Sequence, residues 1–300
     1  MKKRLFIILT AIVLFPVLLL SGCGMRVPLM SRVFTDNDWP KKRVMVMPVT
    51  DLTGIGLDES MDTISEELSK ILRKTGFFNV YHQNEPQKFP FLKPGEPIDA
   101  ELMREAKEMG TNAIIFETVN PIEVNPVKSG IWPFRRKAQR FTVSMNIDIL
   151  DVNRGTMILT KEIAESSILS DEEAEEETEK FTNVETKKRA FRKCLPDILK
   201  KAAREANLSL NREVWEGRIV SIDKKRIIIN AGRDAGLRPG IVFEVFSKGE
   251  DITSFRGQIY QLQGPKVGEI KIVKIKPRHS YAEPIKEGDF KSGQIIRVKE

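Results

Sequence analysis

The sequence predicts an α+β protein: an α/β domain over residues 41–210, then a small, mostly antiparallel β barrel over 212–300. Three observations carry this. In the first part, apolar residues recur at helical spacing in separate stretches, each next to a short apolar run of strand length. Phe141, Val143, Met145, Ile147 and Ile149 alternate with polar residues, as a strand with one buried face does. From residue 212 onward strand-like runs are punctuated by Gly and Pro, with no helical pattern.

The elements follow in chain order. Lys2, Lys3 and Arg4 precede an apolar run, Leu5 to Leu20, broken only by Thr10 and Pro16. Small residues Ser21 and Gly22 follow, completing a secretory signal over residues 1–22. The run falls short of the roughly 20 apolar residues that span a bilayer. Leu20-Ser21-Gly22-Cys23 resembles the lipobox of bacterial lipoproteins. That resemblance implies diacylglyceryl attachment at Cys23 and cleavage after Gly22. The other reading is an uncleaved anchor with a chance cysteine; both tether the chain to a membrane face. Two or three acyl chains hold firmly where one holds weakly. In Gram-negative lipoproteins an Asp after the Cys resembles an inner-membrane retention signal. Gly24 stands there instead, which implies the outer membrane, periplasmic face. Residues 23–40 read as a tether.

Val44 to Val49 reads as a buried first strand. After the turn at Asp51-Leu52-Thr53-Gly54, Leu57, Met61, Ile64, Leu68, Ile71 and Leu72 fall at helical spacing. Acids open this helix, Arg73 and Lys74 close it, and Gly76 sits at the cap. Phe78–Tyr81 is a second strand. Residues 84–97 carry four prolines and form a loop. Ile98, Leu102, Ala106 and Met109 make a second amphipathic helix, and Ala113–Phe116 the next strand. The strand around Phe141–Ile149 turns at Asp151–Gly155 into a partner near 156–165. Residues 184–207 form a long helix that Pro196 should kink or restart. In the barrel, strands fall at 217–222, 226–230, 241–246, 267–275, 280–285 and 294–298, and Gly232, Gly236 and Gly240 permit positive φ in tight turns.

Two resemblances have residues behind them. Arg43–Val49 through Asp51–Gly54, with Ala106-Lys107-Glu108-Met109-Gly110-Thr111-Asn112-Ala113-Ile114-Ile115, is similar to an envelope family. It includes the curli secretion lipoprotein, the lipoprotein activator of penicillin-binding proteins, and the N-terminal domain of the Tol-system β-propeller protein. The resemblance implies an α/β anticodon-binding-like fold, Tol-like, over about 170 residues. Gly217–Val220, Ile227–Gly232, Asp234–Val245, Val267–Val273 and Gly288-Asp289 resemble the C-terminal SH3-like barrel of the flagellar H-ring assembly protein T. That family also places a Tol-like domain before its barrel. It is usually soluble with an extra N-terminal domain; here a lipid anchor stands instead.

Enzyme chemistry has little support. Two Cys and two His exclude a disulfide framework and a Cys-rich zinc site, and leave little for His-based catalysis. Gly54-Ile55-Gly56 lies between strand and helix, but Glu59 stands where a dinucleotide loop needs its third glycine, and Asp51, Asp58 and Glu59 would repel a pyrophosphate. The acidic run 171–177 lacks calcium-loop spacing. Cys194 reads as a small buried hydrophobe. The chain carries +7; without Lys2, Lys3 and Arg4, 46 basic and 42 acidic residues leave +4, too little for a nucleic-acid footprint.

Asn125–Arg140 reads as a loop too long for a tight hairpin, with Lys128, Arg135, Arg136, Lys137 and Arg140 around Ile131, Trp132 and Phe134. It suits a partner protein, a lipid headgroup layer or acidic cell wall. The competing reading is a basic loop whose Trp packs on its own domain. In the curli-like relatives, equivalent connections enlarge into transmembrane hairpins; this one is too short and charged, and no pore is expected. The expectation is a non-catalytic, lipid-anchored assembly protein without cofactor, metal, nucleic acid or small-molecule substrate. Lys128, Trp132, Phe134, Arg135, Arg136 and Lys137 would bind envelope protein partners, in a homo-oligomeric ring around a flagellar or secretion machine. The alternative is a lipoprotein that activates a peptidoglycan synthase.

Overall fold

The structure, a computed structural model, describes residues 39–82, 98–170, 184–223, 226–254, 257, 259–286 and 288–299. The signal segment, Cys23 and the acidic run 171–177 lie outside the described residues. Pro40–Glu300 forms one compact unit.

β1 (Lys42–Val46) is buried along its whole length. Val44 and Val46 face one core, while Met45 and Met47 face another. A strand covered on both faces reads as a continuous apolar run, which is how it stands in the sequence. β1 lies parallel to both β3 (Phe78–His82) and β4 (Ala113–Val119), and β2 (Thr50–Asp51) is a short parallel addition to β4. β5 (Glu123–Ser129), β6 (Arg136–Asp151) and β7 (Thr156–Ser170) complete the sheet. Its order is β3-β1-β4-β6-β5, with β7 also on β6. β4 pairs with residues 145–151 of β6 and β5 with 136–142, while β7 runs along 138–151 on the other side. The long β6 is therefore the spine from which the β5 end projects.

Three helices cover the sheet among the described residues. α1 (Asp58–Lys74) ends as expected: Gly76 has φ +81°, and its N–H donates to the Arg73 carbonyl at 3.1 Å. α2 (Ala100–Glu108) is capped by Asp99, whose carboxylate accepts the Leu102 N–H at 2.9 Å. α3 (Val184–Arg212) shows no restart at Pro196. An interior proline costs about 3 kcal/mol. Each large apolar side chain buried beyond it returns about 1.5–3 kcal/mol. Ile198, Leu199 and Leu210 are all buried, so packing outweighs the break. α1 and α3 pack on the sheet face carrying Phe141, Val143, Met145, Ile147 and Ile149. α2 packs Leu102 and Ala106 on the opposite face, against Ile114, Phe116 and Leu150. Cys194 is buried in the larger core, and burial raises its thiol pKa.

β8 (Glu216–Asp223), β9 (Arg226–Ile229), β10 (Val242–Thr253), β11 (Ile259–Ile275), β12 (Ser280–Pro284) and β13 (Ile295–Val298) pair in a closed ring, β10-β11-β12-β9-β8-β13. Trp215, Ile219, Ile229, Phe243, Ile270 and Ile296 fill it, with the Trp215 and Phe243 rings 5.5 Å apart. β10 and β11 run beyond the expected ends at 246 and 267. Register shifts after Val245, Phe246 and Lys248 bend them out of the ring as a two-stranded extension. One glycine needs a different account. Gly236 and Gly240 have φ of +77° and +94°, but Gly232 does not have positive φ; a Cβ there would lie 2.6 Å from the Pro277 carbonyl oxygen. Close backbone approach, not turn handedness, requires it.

Candidate functional site

β5 and β6 form an antiparallel hairpin closed by the turn Ile131–Phe134, where the Phe134 N–H donates to the Ile131 carbonyl at 2.7 Å. Gly130 enters the turn at φ +104°, and a Cβ there would press on the Phe134 carbonyl oxygen at 3.2 Å. The expected long loop over 125–140 is corrected here. Residues 123–129 and 136–142 pair in register, leaving only 130–135 as connection. Pro126 concealed the strand. It sits in β5, on the side of β6 that β7 does not occupy, where a strand can spare a ladder donor.

The turn lifts three large apolar side chains into solvent. Ile131 is 84% exposed, Trp132 77% and Phe134 82%. A tryptophan packed on its own domain would be covered, and this one is not. Lys128, Arg135, Arg136, Lys137 and Arg140 are exposed behind the turn. Lys128 stands directly opposite Lys137, and Ser129 opposite Arg136. Among the described residues β7 reaches Ser170, opposite Ala138, and these last two rungs are paired only between β5 and β6. From Val124 to Arg140 there are five basic residues and no acidic one. Lys128, Arg135, Lys137 and Arg140 make no ion pair among the described residues. The structure thus brings together Lys128, Trp132, Phe134, Arg135, Arg136 and Lys137, as a convex tip rather than a pocket.

At the other end of β6 from the tip, buried charged groups join the sheet to the barrel. Arg43, buried in β1, donates through Nη2 to both carboxylate oxygens of Asp234 (3.0 and 2.8 Å) and to the Arg278 carbonyl at 3.0 Å. Its Nη1 donates to the Met109 carbonyl at 3.3 Å and to the Asn230 carbonyl. Lys42 donates to the carbonyls of Leu210 (2.7 Å) and Glu213 (2.6 Å), and burial lowers its pKa to about 8 against the pull of Glu213, Asp151 and Glu216. Asn112 joins both sides: its Oδ1 accepts the Arg43 N–H at 2.8 Å, and its Nδ2 donates to the Glu216 carbonyl at 2.6 Å. Buried Glu216 meets Arg154 at 3.3 Å and Arg297 at 2.5 Å. These contacts run between the sheet domain and the barrel.

Sequence reading missed these groups. Lys42 and Arg43 stood in a basic cluster ahead of a strand, and basic clusters are usually solvated. Glu117 was missed as well. It lies in β4, 1% exposed, on the same face as Ala113, Ile115 and Val119. Neither carboxyl oxygen has a hydrogen-bond partner among the described residues. Burial pushes its carboxyl up to about 8, against a smaller opposing effect of Ser65. The strand expected over Ala113–Phe116 runs on to Val119, and the two-residue period from Ala113 and Ile115 places Glu117 inward.

Two clefts are lined by ionisable side chains, Lys107, Glu108, Arg154 and Asp251 in one and Glu105, Glu108 and His279 in the other. One of about 460 Å³ lies between α2, the β6–β7 turn and the β10–β11 extension; among its described lining residues, such as Met103, Lys107 and Arg154, there is no Ser, Thr, Cys or His. Another, of about 570 Å³, holds His279 with Arg43, Tyr81 and Arg278. His82 lies at the end of β3. At Gly54-Ile55-Gly56, the Asp51 carboxylate accepts the Thr53 N–H at 2.7 Å and the Leu57 N–H at 3.3 Å. An internal anion therefore takes the donors a phosphate would need. No group of three potential metal ligands converges among the described residues. No described helix is long and apolar enough to cross a membrane.

No protein-family model and no curated protein matches the sequence. Solved structures similar to the chain include a hypothetical protein from Chlamydia trachomatis, 11% identical, covering 58% of this chain and 100% of that one at a TM-score of 0.38. Lipoprotein GNA1162 from Neisseria meningitidis is 13% identical, covering 42% of this chain and 80% of its own at a TM-score of 0.27. TolB from Acinetobacter baumannii is 11% identical, covering 82% of this chain and 48% of its own at a TM-score of 0.26. At these values the likeness fixes neither residues nor activity.

Proposed function

We propose that this chain is a non-catalytic binding and assembly protein of the bacterial envelope, held by acyl chains on Cys23 at the periplasmic face of the outer membrane. Its contact surface is the β5–β6 tip. The observation that carries this is the exposure of Ile131, Trp132 and Phe134 at 77–84% on a paired hairpin. The motif resemblance of the second part supports an SH3-like assignment for the barrel and a ring-like assembly, flagellar or secretion-associated, as the setting.

Affinity purification of the full-length protein from crosslinked membranes tests this. Wild type should recover envelope proteins in a large complex, and a Trp132→Ala/Phe134→Ala variant should lose them. Cys23→Ser should abolish acyl labelling. Unchanged recovery with the tip variant contradicts the assigned surface. A small complex with a peptidoglycan synthase favours the synthase-activator alternative over the ring.

A further inference from the structure

We infer that the β5–β6 tip is a second membrane attachment. Ile131, Trp132 and Phe134 enter an anionic phospholipid surface, while the cations behind them meet the headgroup phosphates. This rests on the reading that the tip is a contact surface, and names its partner.

Four features argue for phospholipid. The first is depth. At about 3.3 Å per strand residue, the Lys128–Lys137 rung lies roughly 7–10 Å behind the turn. Apolar faces of interfacial segments sit about 5–10 Å into the headgroup–acyl boundary. When the turn reaches that boundary, the lysines stand among the phosphates. The second is charge. Two lysines directly opposite each other on a strand pair repel. An anionic surface removes that cost, and each cation near it adds roughly fivefold to binding.

The third is shape. The three apolar groups project from a convex turn, which a soft apolar layer accommodates without a matching concave pocket. Trp132 adds an indole N–H suited to the headgroup level. The fourth is the anchor expected at Cys23. A chain already tethered to a bilayer meets that bilayer at high effective concentration, so a modest tip suffices. An acyl anchor joined to a basic patch makes stable two-point attachment.

Vesicle flotation of residues 24–300 tests this; that chain lacks Cys23 but keeps the compact unit Pro40–Glu300. It should float with phosphatidylglycerol-containing vesicles and not with pure phosphatidylcholine, less so as salt rises. Trp132→Ala/Phe134→Ala should bind about a hundredfold more weakly. Lys128→Glu/Lys137→Glu should lose about twenty-five-fold or more, with an unchanged circular dichroism spectrum. Wild type failing to float with anionic vesicles, while the tip variant still loses its crosslinked proteins, overturns the membrane inference and leaves a protein-binding tip. Equal flotation of wild type and the alanine variant also overturns it. Failure in both assays removes the tip as a contact surface altogether.

Discussion

The sheet–barrel junction and the β5–β6 tip both break the rule of polar outside and apolar inside, in opposite directions. At the junction Lys42, Arg43 and Glu216 are buried, and each has partners: carbonyls, a carboxylate or guanidinium groups. At the tip Ile131, Trp132 and Phe134 are exposed. The difference separates structure from function. Buried charge that is matched fixes one arrangement of the body. Exposed apolar surface on an ordered element gains its partner from outside. Glu117 is a third case, buried with neither carboxyl oxygen hydrogen-bonded among the described residues, and burial there favours the protonated, uncharged form.

Glu117 gives the largest expected effect. Burial raises its folded pKa to about 8, above the ordinary glutamate value of 4.5. The folded state therefore keeps a proton that the unfolded state gives up. Its contribution is fully present below about pH 4.5 and is lost as pH rises to about 8, on the order of 5 kcal/mol at 1.36 kcal/mol per unit. Denaturant midpoints of the purified protein should fall across that window. Glu117→Gln should flatten the slope; an unchanged slope would place the proton elsewhere. Lys42 acts with the opposite sign. Its pKa is depressed from 10.5 to about 8, so stability should recover between about pH 8 and 10.5 as the folded state sheds its proton first.

Arg43→Met sharpens the comparison at the junction. It leaves Asp234 and several carbonyls without their guanidinium, and should cost about 3–5 kcal/mol in denaturant unfolding. A loss below about 1 kcal/mol would mean that the junction does not hold the body together.

The smallest effect belongs to the tip. Lys128→Glu replaces a repelling cross-strand pair with an attracting one and should stabilise the fold by about 0.2–1 kcal/mol. The same change should weaken tip binding. Opposite signs for stability and binding mark a residue kept for contact; parallel losses would assign Lys128 to the fold.

Much of the fold was legible because periodicity reports burial directly. The alternation Phe141 to Ile149 gave the central strand, and the spacing of Ile64, Leu68 and Leu72 gave α1. The barrel strands were legible from Gly and Pro punctuation. What stayed hidden was decided by long-range partners. Lys42 and Arg43 are buried because Leu210, Glu213 and Asp234 meet them across the chain, and no local pattern announces that. The hairpin strands around the tip were hidden because Pro126 interrupts β5 and charged residues fill the outer rungs, while Ala138 and Phe141 are the inward positions that reach the core. The residue types at the tip were readable; their projection into solvent came from pairing, register and the turn at Gly130.

The most direct measurement is the fluorescence contributed by Trp132, taken as the difference between wild type and Trp132→Phe. In buffer it should be red-shifted and readily quenched by acrylamide, and phosphatidylglycerol vesicles should shift it to the blue and shield it. A signal already blue and shielded in buffer would mean that Trp132 packs on its own domain, contradicting the account of the tip as a contact surface.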